Sequence, residues 1–399
     1  MQISWLAADS KAFIRLYLFK MGVAKMTNAP TSVPFLDLKA QFEAMRDPIQ
    51  KRIQTVLEHC QFIMGPEVEE LERALAKYVG CKNAITCSSG TDAEVIAMMA
   101  LGIGPGDEVI VPAFSFIATA ESVVLLGATP VYVDVDPQTY NLNPAHLKSA
   151  LSSKTKAIQP VSLYGQPSNM DEINAFAIEH NLFVIEDAAQ SFGGTYKKRK
   201  SGNISLVSAT SFFPAKPLGC FGDGGAIFTS DDNLATAIKE VRNHGQKTRY
   251  NHTRIGLNGR LDTLQCAILI PKLERFPWEL EQRQMRAQRY TDAFKDLNKN
   301  GVVVPFVSDD CTSAWAQYTL QVNNRDDFQK SLQQKGVPTA VHYPITMPDQ
   351  PAYKEIGRLH SAEVSRRLAQ TVVSLPLYAD MTDQIQDYVI NTIRAYFGR

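Results

Sequence analysis

Apolar and polar positions along the chain recur at two periods, and the switches between them mark its elements. Between 48 and 79 the apolar residues fall at helical spacing, with a break at "MGPE". Pro66 stands where a helix starts, and "EVEELERALAKYVG" puts Val68, Leu71, Leu75 and Tyr78 on one face. From 83 onward short apolar runs alternate with helical stretches. "AITC" leads into "TDAEVIAMMALGI" and "EVIVP" into "SFIATAESVVLLG". "TPVYVDV", "AIQPVSL", the helix "MDEINAFAIEHN" and "LFVIED" follow. This order predicts a mostly parallel α/β sheet with helices on both faces. The alternation weakens near 276, where "ERFPWELEQRQMRAQRYTDAFKDL" reads as one long helix entering a second unit. That unit holds the strand "YTLQV", the helix "RDDFQKSLQQKG" and the strand "TAVHY". The expected organisation is an extension over 1–30, a large domain over 31–275 and a smaller C-terminal α/β domain over 276–399.

Composition narrows the function classes. Forty-one basic residues balance forty-one acidic ones, so no basic field invites nucleic acid or an anionic membrane. A charged substrate must then be met by a few placed residues. The six cysteines, at 60, 81, 87, 220, 266 and 311, form no C-x-x-C pair and lack zinc-ligand spacing, which reads as reduced thiols in a cytoplasmic protein. No run of 18 apolar residues predicts a membrane span. In the first 25 residues the apolar piece "FIRLYLF" is broken by Arg15, which argues for an extension rather than a signal peptide, with Met21 or Met26 as an alternative start.

In open α/β sheets, ligands gather at the carboxyl ends of strands. Three such ends are polar here. "CSSGTDA" turns through Ser88, Ser89 and Gly90 into a helix, either a plain N-cap or an anion cup. "VIEDAAQS" places Asp187 directly after an apolar strand, either as a cap or as the partner of a cation. "SFFPAKPLGCFGDGGA" sets Lys216 between Pro214 and Pro217, which fix φ, and ahead of glycines that let the chain fold tightly behind it. A lysine held among desolvating groups becomes a usable amine nucleophile. Pyridoxal phosphate needs all three features: a phosphate cup, an anion for its ring nitrogen and a Schiff-base lysine. "VDVDP" at 133–137 contains D-x-D, compatible with a metal-dependent glycosyltransferase or with a plain strand end. No metal site is expected.

From "FLDLKAQ" at 35 to the C-terminus the chain resembles the DegT/DnrJ/StrS family of nucleotide-sugar aminotransferases. The resemblance rests on "GPEVEELE", "CSSGTDA", "PAFSFIATAESVVLLGATPVYVDVD", "LYGQP", "VIEDAAQSFGG", "SFFPAKPLGCFGDGGA" and "GLNGRLDTLQCAIL". It implies the type I (aspartate aminotransferase-like) fold, pyridoxal 5'-phosphate as cofactor and a homodimer with shared active sites. It also implies Lys216 as the Schiff-base lysine, Asp187 as the partner of the pyridine nitrogen and Gln190 near the phenolic oxygen. Phe116 would stack on the ring, and Gly90, Thr91 and Ser211 would form the phosphate cup. Asn258 would reach the phosphate from the neighbouring subunit. "GVPTAVHYPIT" and "GLNGRLD" resemble the subgroup acting on UDP-2-acetamido-2-deoxy-3-oxo-D-glucuronate, with L-glutamate as donor, in the route to diamino uronic acid sugars. Arg260, His342 and Tyr343 would then bind the sugar nucleotide. The family also includes enzymes for dTDP- or UDP-4-keto-6-deoxyhexoses, and a pyridoxal-binding regulator without turnover is the non-enzymatic alternative.

Overall fold

The computed structural model describes residues 32–399, so the expected extension over 1–30 lies outside the described residues. Helix α1 (Leu38–His59) starts at Asp37, whose Oδ1 accepts the N–H of Ala40. Helix α2 (Pro66–Val79) has Pro66 at its first position and stops at Gly80, whose φ of 80° suits a residue without Cβ. Its apolar stripe buries Val68, Leu71, Leu75 and Val79; Tyr78, predicted on that stripe, is half-buried and carries the Lys200 ammonium 3.8 Å from its ring centroid.

The strand–helix alternation then unfolds as β1 (Asn83–Cys87), α3 (Gly90–Ala100), β2 (Glu108–Pro112), α4 (Ala118–Leu125), β3 (Thr129–Val133), β4 (Thr155–Ile158), α5 (Met170–Glu179), β5 (Phe183–Asp187), β6 (Val207–Ser211), β7 (Gly225–Thr229) and α6 (Asp232–Arg242). Helix α7 (Thr263–Phe294) leads to β8 (Val302–Val303), β9 (Tyr318–Val322), α8 (Arg325–Gln334), β10 (Arg358–Leu359), α9 (Glu363–Thr371), β11 (Val372–Leu375) and α10 (Asp383–Tyr396). The main sheet has the order β1-β7-β6-β5-β4-β2-β3-β10. Strand β7 runs antiparallel to both neighbours, and the remaining pairs are parallel. Successive residues of β2 serve opposite faces, as the period of two requires. Val109 and Val111 pack with Ile96, Ala97 and Ile238 of α3 and α6, whereas Ile110 packs with Met170 and Ile173 of α5.

Helix α7 begins at Thr263 rather than at Glu274 and runs through Pro271 and Pro277. Each proline costs a helix about 3 kcal/mol. Cys266, Leu269, Ile270, Leu273 and Phe276 are buried in the cluster that also holds the apolar stripe of α2. At ~1.5–3 kcal/mol for each buried large apolar side chain, packing outweighs the prolines. Farther along, Ala287, Tyr290 and Phe294 of the same helix join a second core with Tyr318, Leu320, Val373 and Val389. There β8, β9 and β11 form a small antiparallel sheet.

Two further expectations are modified. "TAVHY" forms no strand: Ala340 alone bridges to Ser374, and the chain then turns, with a cis peptide between His342 and Tyr343, into the cavity described below. The D-x-D aspartates are both spent as caps. Asp134 accepts the N–H groups of Val364 and Ser365 and the Ser365 hydroxyl, and Asp136 accepts the N–H groups of Gln138 and Thr139. No helix among the described residues is long and apolar enough to cross a membrane, and the six cysteines are free thiols.

Candidate active site

A cavity of about 490 Å³ opens at the carboxyl ends of β1, β5 and β6, where all three polar strand ends converge. Its floor begins at the first turn of α3. Ser89 caps that helix, its Oγ accepting the N–H of Asp92 at 3.0 Å. Gly90 follows at the first helical position, against Ser211 at the end of β6. A Cβ on Gly90 would stand 2.6 Å from that of Ser211, so only glycine lets the helix start and the strand end approach this closely. Gly90, Thr91 and Ser211 line the same corner. The first N–H groups of a helix lack helical partners and carry the positive end of its dipole, so this corner favours an anion such as a phosphate.

Asp187 ends β5 with its side chain buried, and its Oδ1 accepts the N–H of Ala189 at 2.9 Å. Burial raises its pKa, while the Ala189 N–H and the charge of Lys216 pull it back. Lys216 lines the same cavity. Its N–H donates to the carbonyl of Phe213, and the loop closes behind it through Phe212 and Gly224. Gly219 is required in that loop, since a Cβ there would fall 2.5 Å from the carbonyl oxygen of Pro214. Burial lowers the pKa of Lys216, against the opposing pull of Asp187 and Glu94, so a larger share of the amine is unprotonated than in water.

The walls are aromatic and polar. Phe116 is 51% exposed, with its ring 5.8 Å from that of Tyr343, and a planar ligand can lie on its free face. Gln190 is held by the Tyr164 N–H, which donates to its Oε1 at 2.9 Å, and its Nε2 donates to the Tyr343 hydroxyl at 3.1 Å. His342 shares a hydrogen bond of 2.9 Å between Nδ1 and the Ser374 hydroxyl. Burial, and secondarily Lys216, push its pKa down to about 4, so the ring is neutral at pH 7. Asn258 and Arg260 are absent from this lining. The backbone of their turn is tied to the cup, with Ser88 N–H donating to the Gly259 carbonyl at 3.0 Å. Asn258 is exposed, however, and Arg260 donates from Nη1 to Asn243 Oδ1 at 2.7 Å. The turn therefore presents Asn258 outward, away from the cavity of its own chain.

Sequence reasoning missed Glu94 and Thr119, which line the cavity beside Asp187. Glu94 left one legible trace, as an acid inside an otherwise apolar stretch with no basic residue in its helix. Thr119 left none, because a threonine in a helix is unremarkable. The donor set as a whole fits pyridoxal phosphate: a cup that a Cβ would fill, a buried carboxylate, an aromatic face and a desolvated amine meet in one cavity.

Comparison with known proteins agrees with this arrangement. The chain is 54% identical over 346 residues, covering 87% of this chain and 95% of the relative, to a UDP-2-acetamido-2-deoxy-3-oxo-D-glucuronate aminotransferase of Pseudomonas aeruginosa. A DegT DnrJ EryC1 StrS aminotransferase from Brucella abortus has a crystal structure 42% identical in sequence. Its TM-score is 0.89, over 92% of this chain and 100% of that one. The Bacillus subtilis protein ntda, solved with bound cofactor PMP, is 32% identical with a TM-score of 0.87, over 94% of this chain and 87% of that one. The α/β architecture is thus that of the type I aminotransferases. With residues 43–394 also matching the family's sequence pattern, the chain belongs to the DegT/DnrJ/EryC1/StrS aminotransferase family.

Proposed function

We propose that the chain transfers an amino group from L-glutamate to C3 of a UDP-linked 3-oxo-hexuronate, UDP-2-acetamido-2-deoxy-3-oxo-D-glucuronate, with pyridoxal phosphate as cofactor. The observation that carries this reading is the meeting of Lys216, Asp187 and the Gly90–Ser211 cup in one cavity. Bound there, the cofactor supplies a carbon that carries the amino group between donor and acceptor, and an electron-poor ring that takes up the electron pair of the broken C–H bond.

The chain's residues do the rest. Asp187 holds a proton on the ring nitrogen, and its charge keeps that proton in place. Lys216, part of whose population is unprotonated, takes and returns the proton that moves between substrate and cofactor carbons. Gly90, Thr91 and Ser211 hold the phosphate, Phe116 covers one ring face, and Gln190 orients the phenolic oxygen. Tyr343 and the neutral His342 offer hydrogen bonds to the sugar nucleotide. The outward placement of Asn258 supports a homodimer in which this turn completes the partner's cup and carries Arg260 toward the partner's substrate. The reading includes a cytoplasmic location and a division near 275/276, which falls within helix α7 between the stretches that serve separate cores.

Arginine suits a uronate because its planar fork meets a carboxylate through two hydrogen bonds. The Nε of Arg260 is buried without a partner, which leaves part of the fork free. Losing one partner of a buried charge pair costs ~2–5 kcal/mol. Arg260→Ala is expected to lower kcat/KM strongly for the uronate and hardly at all for a neutral 3-oxo-hexose nucleotide. If the parent protein prefers a neutral 4-oxo-6-deoxyhexose nucleotide, the uronate assignment fails and sugar transamination stands without it.

A further inference from the structure

Beneath Asp187 lies a second buried carboxyl group, Glu94, with no role in the reaction described above. It sits one helical turn after Gly90 on α3, so both face the cavity. Its relative exposure is 3%, and α3 contains no lysine or arginine to pair with it. Its carboxyl lies within hydrogen-bonding reach of Asp187, with Ser122 and Gln159 alongside. Among the described residues, no protein donor reaches Glu94 Oε2, and both ends of the fully buried Gln159 amide are also unpartnered. A carboxylate so placed would be desolvated, beside another anion and short of donors, which is a costly state. A carboxylic acid carries its own donor, and Asp187 offers an acceptor.

We infer that Glu94 is held as a neutral carboxylic acid whose O–H donates to Asp187, making it the residue that positions the ionised Asp187 toward the cavity. The charge count of the cluster agrees. Two carboxyl groups sharing one proton carry a single negative charge, which balances the one positive charge of Lys216. The proton rests on Glu94 rather than Asp187 for identifiable reasons. Asp187 receives the Ala189 N–H and faces Lys216, both of which favour its anion. Burial and the Asp187 charge both disfavour an anion at Glu94 and raise its pKa well above the ordinary value. The charged or titratable groups facing the pair are Lys216 and, on the far wall, His342 and Tyr343; Thr119, Ser122 and Gln159 are polar but uncharged.

The functional part of this inference rests on the assignment of Asp187 to the cofactor, but the protonation state does not, so the first test omits the cofactor. Infrared difference spectra of the full chain at pH 7, parent minus Glu94→Gln, should contain the C=O stretch of a protonated carboxyl. Only carboxylate bands there would overturn the inference. Unfolding gives a second reading with a defined sign. A carboxyl whose folded pKa lies above its unfolded one loses stability as pH rises between the two. The folding constant of Glu94→Gln relative to the parent should therefore climb about tenfold per pH unit above the ordinary glutamate range. A flat ratio would count against it.

With pyridoxal phosphate added, Glu94→Gln keeps a donor for Asp187, and Glu94→Leu removes it at similar volume. The Gln protein should keep the parent's cofactor absorbance at each pH and its kcat. The Leu protein should shift the pH midpoint of that absorbance and lose at least tenfold in kcat. Equal behaviour of the two proteins would refute a positioning role. A protonated Glu94 with no cofactor bound would leave the infrared result standing and sink the transaminase reading instead.

Discussion

An alanine at position 90 tests the cup at its narrowest point. Gly90 has no positive φ, so the backbone accepts alanine and any cost comes from contact. The new Cβ would stand 2.6 Å from Ser211 Cβ, 3.1 Å from its Oγ and 3.2 Å from its Cα. Carbon atoms rest at ~3.5–4.0 Å, so the helix start and the strand end must part by about 1 Å. Neither yields easily: β6 is hydrogen-bonded between β5 and β7, and α3 is packed into the main core. Overpacking of this kind costs ~1–3 kcal/mol. Ser211→Gly removes the atoms that are struck, at ~0.5–1 kcal/mol for a glycine within a strand. In a urea-unfolding cycle, G90A with S211G should recover most of the G90A loss, a coupling of ~1–3 kcal/mol. Cofactor affinity, followed by absorbance, should fall in G90A because the gap opens where the phosphate is held. A G90A protein with parental stability and affinity, and strict additivity in the cycle, would refute the geometry.

Three further outcomes are expected. The pKa of His342 falls from 6.5 to about 4 on folding, so the unfolded chain binds more protons in that interval and stability drops as pH falls through it. The loss is on the order of 3 kcal/mol by pH 4, and His342→Gln should remove that part of the pH slope in denaturant titrations. Asp187→Asn keeps the shape and deletes the charge, so turnover should fall more than cofactor affinity does; equal turnover would count against the role given to Asp187. Mixing inactive Lys216→Ala and Asn258→Asp chains should restore activity if sites are shared, since each mixed dimer has one intact site; no recovery despite subunit exchange, followed by mass, would exclude sharing.

Local signals carried most of the architecture and the cofactor pocket. The runs "AITC" and "EVIVP" became strands because their length and flanking turns left little choice. Lys216, Asp187 and Gly90 were legible because each stands at a strand end or in a proline- and glycine-marked loop. Long-range effects hid the rest. The early start of α7 is masked by Pro271 and Pro277, and only the packing of Leu269 and Leu273 beside α2 shows why the helix survives them. "TAVHY" has strand composition, yet its partner edge accepts Ala340 alone. Asp134 reads as a metal ligand until a helix more than two hundred residues away takes it as its cap. Glu94 reads as a surface glutamate unless the strand that covers it is known.

The two-residue strand β10 has a bearing on solubility. Without it, β3 would be the open edge of the main sheet, and "TPVYV" is uncharged, short of breakers beyond Pro130 and rich in strand-forming residues, the composition that recruits foreign strands. Arg358 and Leu359 occupy that edge opposite Val131 and Tyr132. Gly357, at φ 94°, lets the chain draw close, where a Cβ would meet the Pro130 carbonyl at 2.7 Å. Arg358 also donates to Glu108 on β2, one strand further in. The C-terminal part of the chain thus shields the edge of the sheet formed by the N-terminal part, and a truncation before residue 357 would expose that edge to self-association even with every cavity residue still present.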